Sequence, residues 1–300
     1  MDQQLQVFVK VAEEENFSRA AKELLMTQPA VSQYIRTFEE NMGVRLLERT
    51  NKYVRLNKAG EIVYHHAKEI IGLYTSMQNL VDDLAHKASG PLSIGASFTF
   101  GEYVLPRIIT QMHQTYPDIK PTVTISNTVE IASYVKRHQL DVGIIEGNFK
   151  GEQKMHVEEF AEDRMIIVAS PEHPLARKKE VTYQDLENQN WILREKGSGT
   201  REATERLFQQ YDLSPSNLIH FGSTQPIKEV VAAGMGISLL SEWAVSKELQ
   251  YGDLQIIEIE GLPFTRQFSI ITTSPFQSKA LQLFKDILRH NKELTALYNT

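Results

Sequence analysis

The chain has no cysteine among its 300 residues. That excludes a disulfide framework, thiolate catalysis and any Cys-ligated metal. No stretch reaches the roughly 20 apolar residues that a membrane-spanning helix needs. The chain starts without a basic segment leading into an apolar run. Glu13, Glu14 and Glu15 stand there instead, so no export signal is expected and a cytoplasmic protein is. Enzyme signatures are missing too. There is no Gly-x-Ser-x-Gly elbow and no His-Glu-x-x-His, and the glycines at 197 and 199 lack the spacing and the Lys ending of a phosphate-binding loop. His113, His138, His156, His173, His220 and His290 show no ligand spacing. His65 and His66 are adjacent on a helical stretch, where neighbours do not share a face, so they too are expected not to hold a metal. No catalytic residue, metal or cofactor is expected.

Positive charge is in deficit overall, with a formal net charge of −6. Its distribution says more than its sum. From Phe17 to Lys58 there are eight basic residues (Arg19, Lys22, Arg36, Arg45, Arg49, Lys52, Arg55, Lys58) against four acids (Glu23, Glu39, Glu40, Glu48), a local +4. Salt-sensitive contact with a polyanion is expected there, strengthened if two copies present two such patches.

That segment has the pattern of two short helices at a tight turn. Ser18 reads as the N-cap of a helix from 18 to 25, with Ala20, Ala21 and Leu24 on its apolar face. Thr27 reads as the cap of the next helix, where Pro29 is tolerated because the first turn does not use its N–H. Val31, Ile35 and Phe38 recur at helical spacing. Gln28, Ala30, Ser32, Gln33 and Arg36 are left on the open face. One helix fits the major groove, its N-terminal residues reach base edges, Gln pairs with adenine and Arg with guanine. Before this pair, residues 3 to 15 form a helix with the stripe Leu5, Phe8, Val9 and Ala12. After it, 44–48 and 53–56 alternate as two short strands. Arg49, Thr50, Asn51 and Lys52 join them as a wing suited to phosphate or minor groove.

Phe17-Ser-Arg-Ala-Ala-Lys-Glu-Leu, Thr27-Gln-Pro-Ala-Val-Ser-Gln, Gly43-Val-Arg-Leu-Leu-Glu-Arg and Leu56-Asn-Lys-Ala-Gly together resemble the LysR-type transcriptional regulators. The likeness runs through about the first ninety residues. It implies an α/β multidomain chain in three parts. Residues 1–58 form a winged helix-turn-helix that binds double-stranded DNA, with Ser18, Arg19 and Thr27 joining the residues above. Residues 59–88 form a linker helix, and 89–300 a two-lobed effector domain similar to periplasmic binding proteins.

Residues 58 to 87 carry apolar positions at gaps of three and four, from Ala59 to Leu84, as an amphipathic or coiled-coil helix about 45 Å long requires. With little of its own chain to cover that stripe, it is expected to pair two copies, and two dimers are expected to form a tetramer. Ala88 to Pro91 reads as a hinge. Beyond it, strands and helices alternate as in a parallel α/β sheet. Strands are expected at 92–97, 121–126, 140–146, 164–170, 191–194, 218–222, 236–241 and 266–272. Helices are expected at 101–116, 129–138, 200–211, 227–233 and 278–288. The resemblance implies that the last segment returns to the first lobe, dividing the domain into lobe I (92–161 and 267–300) and lobe II (162–266).

Ligands of such sheets sit at the carboxyl ends of strands, near helix N-termini. Ser97 and Thr99, then Ser126, Asn127 and Thr128, then Ser198, Gly199, Thr200 and Arg201, then Gln225 all fall at strand-to-helix turns, and Glu146 ends the third strand. These turns offer hydroxyls, amides and free N–H groups at helix dipoles, with Arg201 and Arg194 as candidate cations. A small anion or carboxylate bridging the lobes is expected. In the family, positions matching Ser97, Thr99, Thr128 and Thr200 line the effector pocket. The Gly-Ser-Gly-Thr-Arg run resembles members that control sulfur assimilation or carbon fixation, which suggests a sulfur-assimilation activator that also contacts RNA polymerase. A solute-binding protein or a small-acid enzyme would use the same lobes, but the helix-turn-helix and the missing export signal disfavour both.

Overall fold

The computed structural model describes residues 3–49, 53–85, 89–147, 149, 155–274 and 276–291. The wing tip Thr50, Asn51 and Lys52 and the hinge residue Ala88 lie outside them. The chain divides into two compact units, one of residues 1–82 with 137–139, the other of 83–136 and 140–300.

The first unit contains helices α1 (Gln3–Glu14), α2 (Phe17–Glu23) and α3 (Gln28–Met42), strands β1 (Leu47–Arg49) and β2 (Val54–Leu56), and helix α4 (Lys58–Ala85). Val7, Phe8, Val11, Ala20, Val31, Ile35, Phe38 and Leu46 form one core, with the Phe8 and Phe38 rings 5.4 Å apart. The cap of α2 differs from expectation. Asn16, not Ser18, accepts from the backbone N–H groups of Ser18 (2.9 Å) and Arg19 (3.0 Å), so the helix begins one residue early and Ser18 is exposed on its first turn. Thr27 does cap α3, accepting from Ala30 N–H at 3.4 Å. Gly43 ends α3 at φ 69°, a left-handed conformation open to glycine. The wing starts later than its sequence suggests. Glu39 on α3 accepts from the N–H groups of Leu46 (2.9 Å) and Leu47 (3.1 Å), so Val44 and Arg45 belong to the turn and only 47–49 pair with β2.

The stripe on α4 divides in two. Ala59, Val63, Tyr64, Ala67 and Ile71 pack on the core of their own unit. Ile62, Ile70, Leu73, Met77 and Val81 are exposed, each about half or more. Among the described residues, the second set is the one open to a partner.

The second unit is built on one mixed sheet. Strands β3 (Gly90–Ser97), β4 (Ile119–Ser126) and β5 (Val142–Glu146) are parallel, with β3 between the other two. A π-helical turn at Phe100–Val104 leads into α5 (Leu105–Thr115), and α6 (Thr128–Lys136) follows β4. The sheet is not wholly parallel as the βα alternation suggests. β6 (His156–Ala169) and β11 (Phe264–Thr272) run antiparallel to each other over nine pairs, with an irregularity between Phe268 and Ser269. β11 joins β5 in lobe I, and β6 joins β9 (Ser238–Ser241) and β10 (Gln255–Ile256) in lobe II. These two strands are the crossings between the lobes. β6 begins eight residues before the expected strand because its first half, His156 to Glu162, is polar and carries no apolar run.

Lobe II adds α7 (Tyr183–Glu187), β7 (Asn190–Arg194), α8 (Gly199–Gln210), β8 (Asn217–Phe221), α9 (Thr224–Ala232) and α10 (Glu242–Tyr251); α11 (Lys279–Arg289) closes lobe I. β7 and β8 pair in parallel and reach the main sheet through Trp191 and Ile237. On β6, Met165 and Ile167 face one core while Ile166 and Val168 face another, so this stretch is buried on both sides. Among the described residues no helix is long and apolar enough to cross a membrane.

Asn16→Ala should destabilise α2 by about 1 kcal/mol, while Ser18→Ala should change it little. Amide hydrogen exchange across α2 and α3 measures both. Equal losses in the two variants would return the cap to Ser18.

Candidate functional site

Two surfaces carry the chemistry expected from the sequence. On α3, Gln28, Pro29, Gln33 and Arg36 are exposed, Ala30 and Ser32 partly so, and Val31, Ile35 and Phe38 point inward. The Gln28 amide donates to Ser32 Oγ at 2.9 Å, and Arg36 stands 3.6 Å from Glu40 across one exposed turn. Arg19 donates to Glu14 O at 2.6 Å. Arg49 is less free than its place in a wing suggests: it pairs with Glu39 at 2.9 Å and lies over the Phe17 ring at 4.8 Å. The tip residues Thr50, Asn51 and Lys52 fall outside the described residues.

In the second unit the centre of the cleft is a guanidinium that sequence reasoning missed. Arg266 on β11 is fully buried. It donates through Nε to Asp163 Oδ2 on β6 at 2.7 Å, through Nη1 to Thr200 Oγ1 at 3.0 Å and through Nη2 to Thr99 Oγ1 at 3.0 Å. Glu146 Oε1 stands 3.3 Å from Nη1 and accepts from Thr99 (3.3 Å) and Thr200 (3.4 Å). Ser241 donates to Asp163 Oδ1 at 2.5 Å. Thr99 and Glu146 come from lobe I, Thr200 and Ser241 from lobe II, and Arg266 and Asp163 from the two crossing strands.

Several expected residues surround this cluster. Ser97 donates to Ile144 O at 3.3 Å and Thr128 to Glu146 O at 3.2 Å. Ser198 caps α8, accepting from Thr200 N–H at 3.2 Å. A Cβ on Gly199 would lie 2.2 Å from Glu146 O, so the first turn of α8 can rest on the end of β5 only with glycine there. The Val129 N–H donates to Gly197 O at 3.3 Å, a backbone bond from one lobe to the other. Thr128, Gly197, Ser198, Gly199 and Arg201 line an adjoining cavity of about 530 Å³.

Others are engaged with partners of their own. Ser126 pairs with Glu130, and Asn127 caps α6 by accepting from Glu130 N–H at 3.0 Å. Gln225 is exposed and donates to Glu229 at 2.8 Å. The candidate cations are already neutralised. Arg201 pairs with Glu205 at 2.7 Å and meets His220 Nδ1 at 2.8 Å. Arg194 donates twice to Glu195 at 2.8 Å, bonds Thr224 at 3.1 Å and lies over the Phe98 ring.

The cluster sets two carboxylates against one guanidinium. Burial pushes the Asp163 carboxyl up to about 6, with Arg266 and the Ser241 hydroxyl opposing the rise. Arg266 is held in its charged form by Glu146 and Asp163, against its own burial. Glu146 Oε2 is buried without a hydrogen-bond partner among the described residues. The arrangement is a closed electrostatic knot with hydroxyls from both lobes.

The fold and these surfaces define a DNA-binding regulator whose sensor is a hinged pair of α/β lobes. Residues 3–61 match the bacterial regulatory helix-turn-helix protein, lysR family, and residues 85–293 match the LysR substrate binding domain. The chain belongs to the LysR family of transcriptional regulators and is not an enzyme. It is 37% identical over 288 residues to the HTH-type transcriptional regulator CysL of Bacillus subtilis (strain 168), covering 96% of each chain. The CcmR regulatory domain of Synechocystis PCC6803, solved in complex with 2-PG, is 28% identical, with a TM-score of 0.61 over 67% of this chain and 96% of that one. Full-length CbnR, solved with its target DNA, shares the fold at a TM-score of 0.72 and 21% identity, over 96% and 98% of the chains.

The Asp163 shift has a sign that can be checked. Folded, the carboxyl holds its proton up to about 6; its ordinary value is 3.8. Between those values the folded state binds more protons, so this group's contribution to stability falls as pH rises from about 4 to about 6. Asp163→Asn should remove that slope. Denaturant titrations followed by tryptophan fluorescence test it, since both tryptophans, 191 and 243, lie in this unit. Matching slopes in parent and variant would show that Asp163 does not carry this titration.

Proposed function

We propose that two copies pair along the exposed stripe of α4 and set two α3 helices into successive turns of one major groove. Half-sites are then about 34 Å apart. The observation that carries this reading is the open front of α3. Gln28, Gln33 and Arg36 are exposed while the same helix buries Val31, Ile35 and Phe38, and Ile62, Ile70, Leu73 and Met77 lie uncovered on α4. A helix whose polar N-terminal face takes no part in its own core is placed to read base edges. Two dimers associate into a tetramer that contacts a longer site, and the complex works on RNA polymerase in the cytoplasm.

The sensor takes a small anion or carboxylate at the turns of Ser97–Thr99, Thr128 and Ser198–Arg201. Helix N-termini and the Ser198 hydroxyl supply the binding, because Arg194, Arg201 and Arg266 already have carboxylate partners and the Thr99, Thr128 and Thr200 hydroxyls already donate to Glu146. The Val129–Gly197 bond and the Gly199–Glu146 contact bring the lobes together at this place. An effector that prefers one lobe angle shifts the DNA-bound state only by its difference in affinity between the angles. Likeness to CysL supports genes of sulfur assimilation as the target, and the 2-PG complex of the CcmR domain supports a small acid as the effector class.

Arg36→Ala should weaken binding to the specific operator by about 1–3 kcal/mol and leave non-specific DNA binding less affected. Fluorescence anisotropy on full-length protein measures both, with circular dichroism as a check on the fold. Unchanged operator affinity would take Arg36, and with it this face of α3, off the reading surface.

A further inference from the structure

His65 and His66 are adjacent on α4, and both reach one carboxylate. Glu69 is four residues after His65 and three after His66, so one carboxylate lies a turn away from both. His65 Nε2 is 3.3 Å from Glu69 Oε1, and His66 Nδ1 is 3.2 Å from Glu69 Oε2. The ligating atoms of all three residues lie within 4.8 Å of one another. The two rings stand nearly perpendicular, at 84°, with centroids 5.2 Å apart. Among the described residues this is the one cluster of three His, Cys, Asp or Glu side chains so arranged.

We propose that His65, His66 and Glu69 bind a divalent transition metal of the zinc type. Ligands about 2.1 Å from a tetrahedral zinc stand about 3.4 Å apart; each nitrogen is close to that distance from its own Glu69 oxygen, and side-chain rotation within the 4.8 Å cluster would bring one oxygen to both. Two imidazoles and one carboxylate suit zinc, nickel or copper over magnesium or calcium, which take oxygen ligands. Binding requires neutral imidazoles with lone pairs at His65 Nε2 and His66 Nδ1, so a metal and protons compete for the site. Helix α4 fixes the spacing, because residues one turn apart keep their Cβ atoms about 5–6 Å apart whether metal is present or not. Three ligands from one chain leave a position for water or for a group from a second copy.

The placement gives the site a purpose. His66 lies four residues after Ile62 and four before Ile70, on the same face as Leu73 and Met77, and it is 65% exposed. A metal there sits on the face by which α4 pairs, and replaces an imidazole that can gain a proton with a fixed dication complex. Occupancy therefore changes the self-association of the helix. This second step rests on the pairing proposed above; the metal site does not.

The test uses full-length protein stripped with chelator. Zn2+ titrated against a chromogenic competitor should show one site per chain, and Co2+ should give the visible bands of a tetrahedral complex. His66→Gln and Glu69→Gln should each weaken Zn2+ binding by at least about 10-fold and abolish those bands. The helix itself should survive both exposed substitutions, as circular dichroism would show. Equal Zn2+ affinity in parent and variants, or no binding by the parent, overturns the site. Sedimentation equilibrium with and without Zn2+ tests the coupling. A shift in the association constant for the parent and none for His66→Gln supports it. Self-association of the parent that ignores bound Zn2+ overturns the coupling, and a parent that stays monomeric throughout overturns the pairing as well.

Discussion

Taking a guanidinium out of water costs several kcal/mol unless carboxylates and hydroxyls replace the lost hydration. Arg266 meets that requirement with Asp163, Glu146, Thr99 and Thr200, and no two of these four lie close together in the chain. Each comes from a different element, so the knot forms only when both crossing strands, the end of β5, the turn after β3 and the first turn of α8 are in place. It is a weak device for stability alone, since well-packed apolar groups would serve as well. What it adds is register. A shift of β11 by one residue against β6 would turn Arg266 to the other face of the sheet and leave Asp163 and Glu146 buried without a cation.

The same knot sets the electrostatics of the cleft. Arg194, Arg201 and Arg266 are each paired with a carboxylate, Lys196 lines the adjoining cavity, and Glu146 puts an acidic group at the centre. The helix N-termini at Thr128 and Gly199 and the Ser198 hydroxyl remain, while the Thr128 and Thr200 hydroxyls donate to Glu146. Such donors bind through fixed dipoles and close fit, so modest changes in lobe angle change affinity. The DNA-reading end has the opposite electrostatics. A local +4 on a chain of net −6 leaves a small basic face that one copy presents weakly. Doubling that face through α4, as proposed above, would strengthen the attraction to DNA and tie reading to pairing.

The helix-turn-helix was legible because its signals are local: a cap at Thr27, Pro29 in the first turn, apolar residues at helical spacing and glycine at 43. The linker helix was legible from its period, though not which half of the stripe its own unit covers, since that depends on where α1 and α3 lie. In the sensor, the strand-to-helix turns stood out by composition, and Ser97, Thr99, Thr128, Glu146 and Thr200 do come together. The centre did not stand out. Arg266 and Asp163 are 103 residues apart and belong to strands whose antiparallel pairing no local pattern announces. One signal was present: Phe264, Arg266 and Phe268 alternate, which sets Arg266 between two apolar side chains on one strand face. Arg194 and Arg201 drew attention by their place near a glycine turn, but each has an acid within four residues that claims it.

Amide hydrogen exchange on an Arg266→Gln variant tests the central claim most directly. If the guanidinium holds the lobes in register, protection should fall together at the first turn of α8, at the end of β5 and along the β6–β11 pair, while α3 and the core of α5 stay as in the parent. Protection unchanged at those three places, or lost evenly over the whole chain, would contradict it.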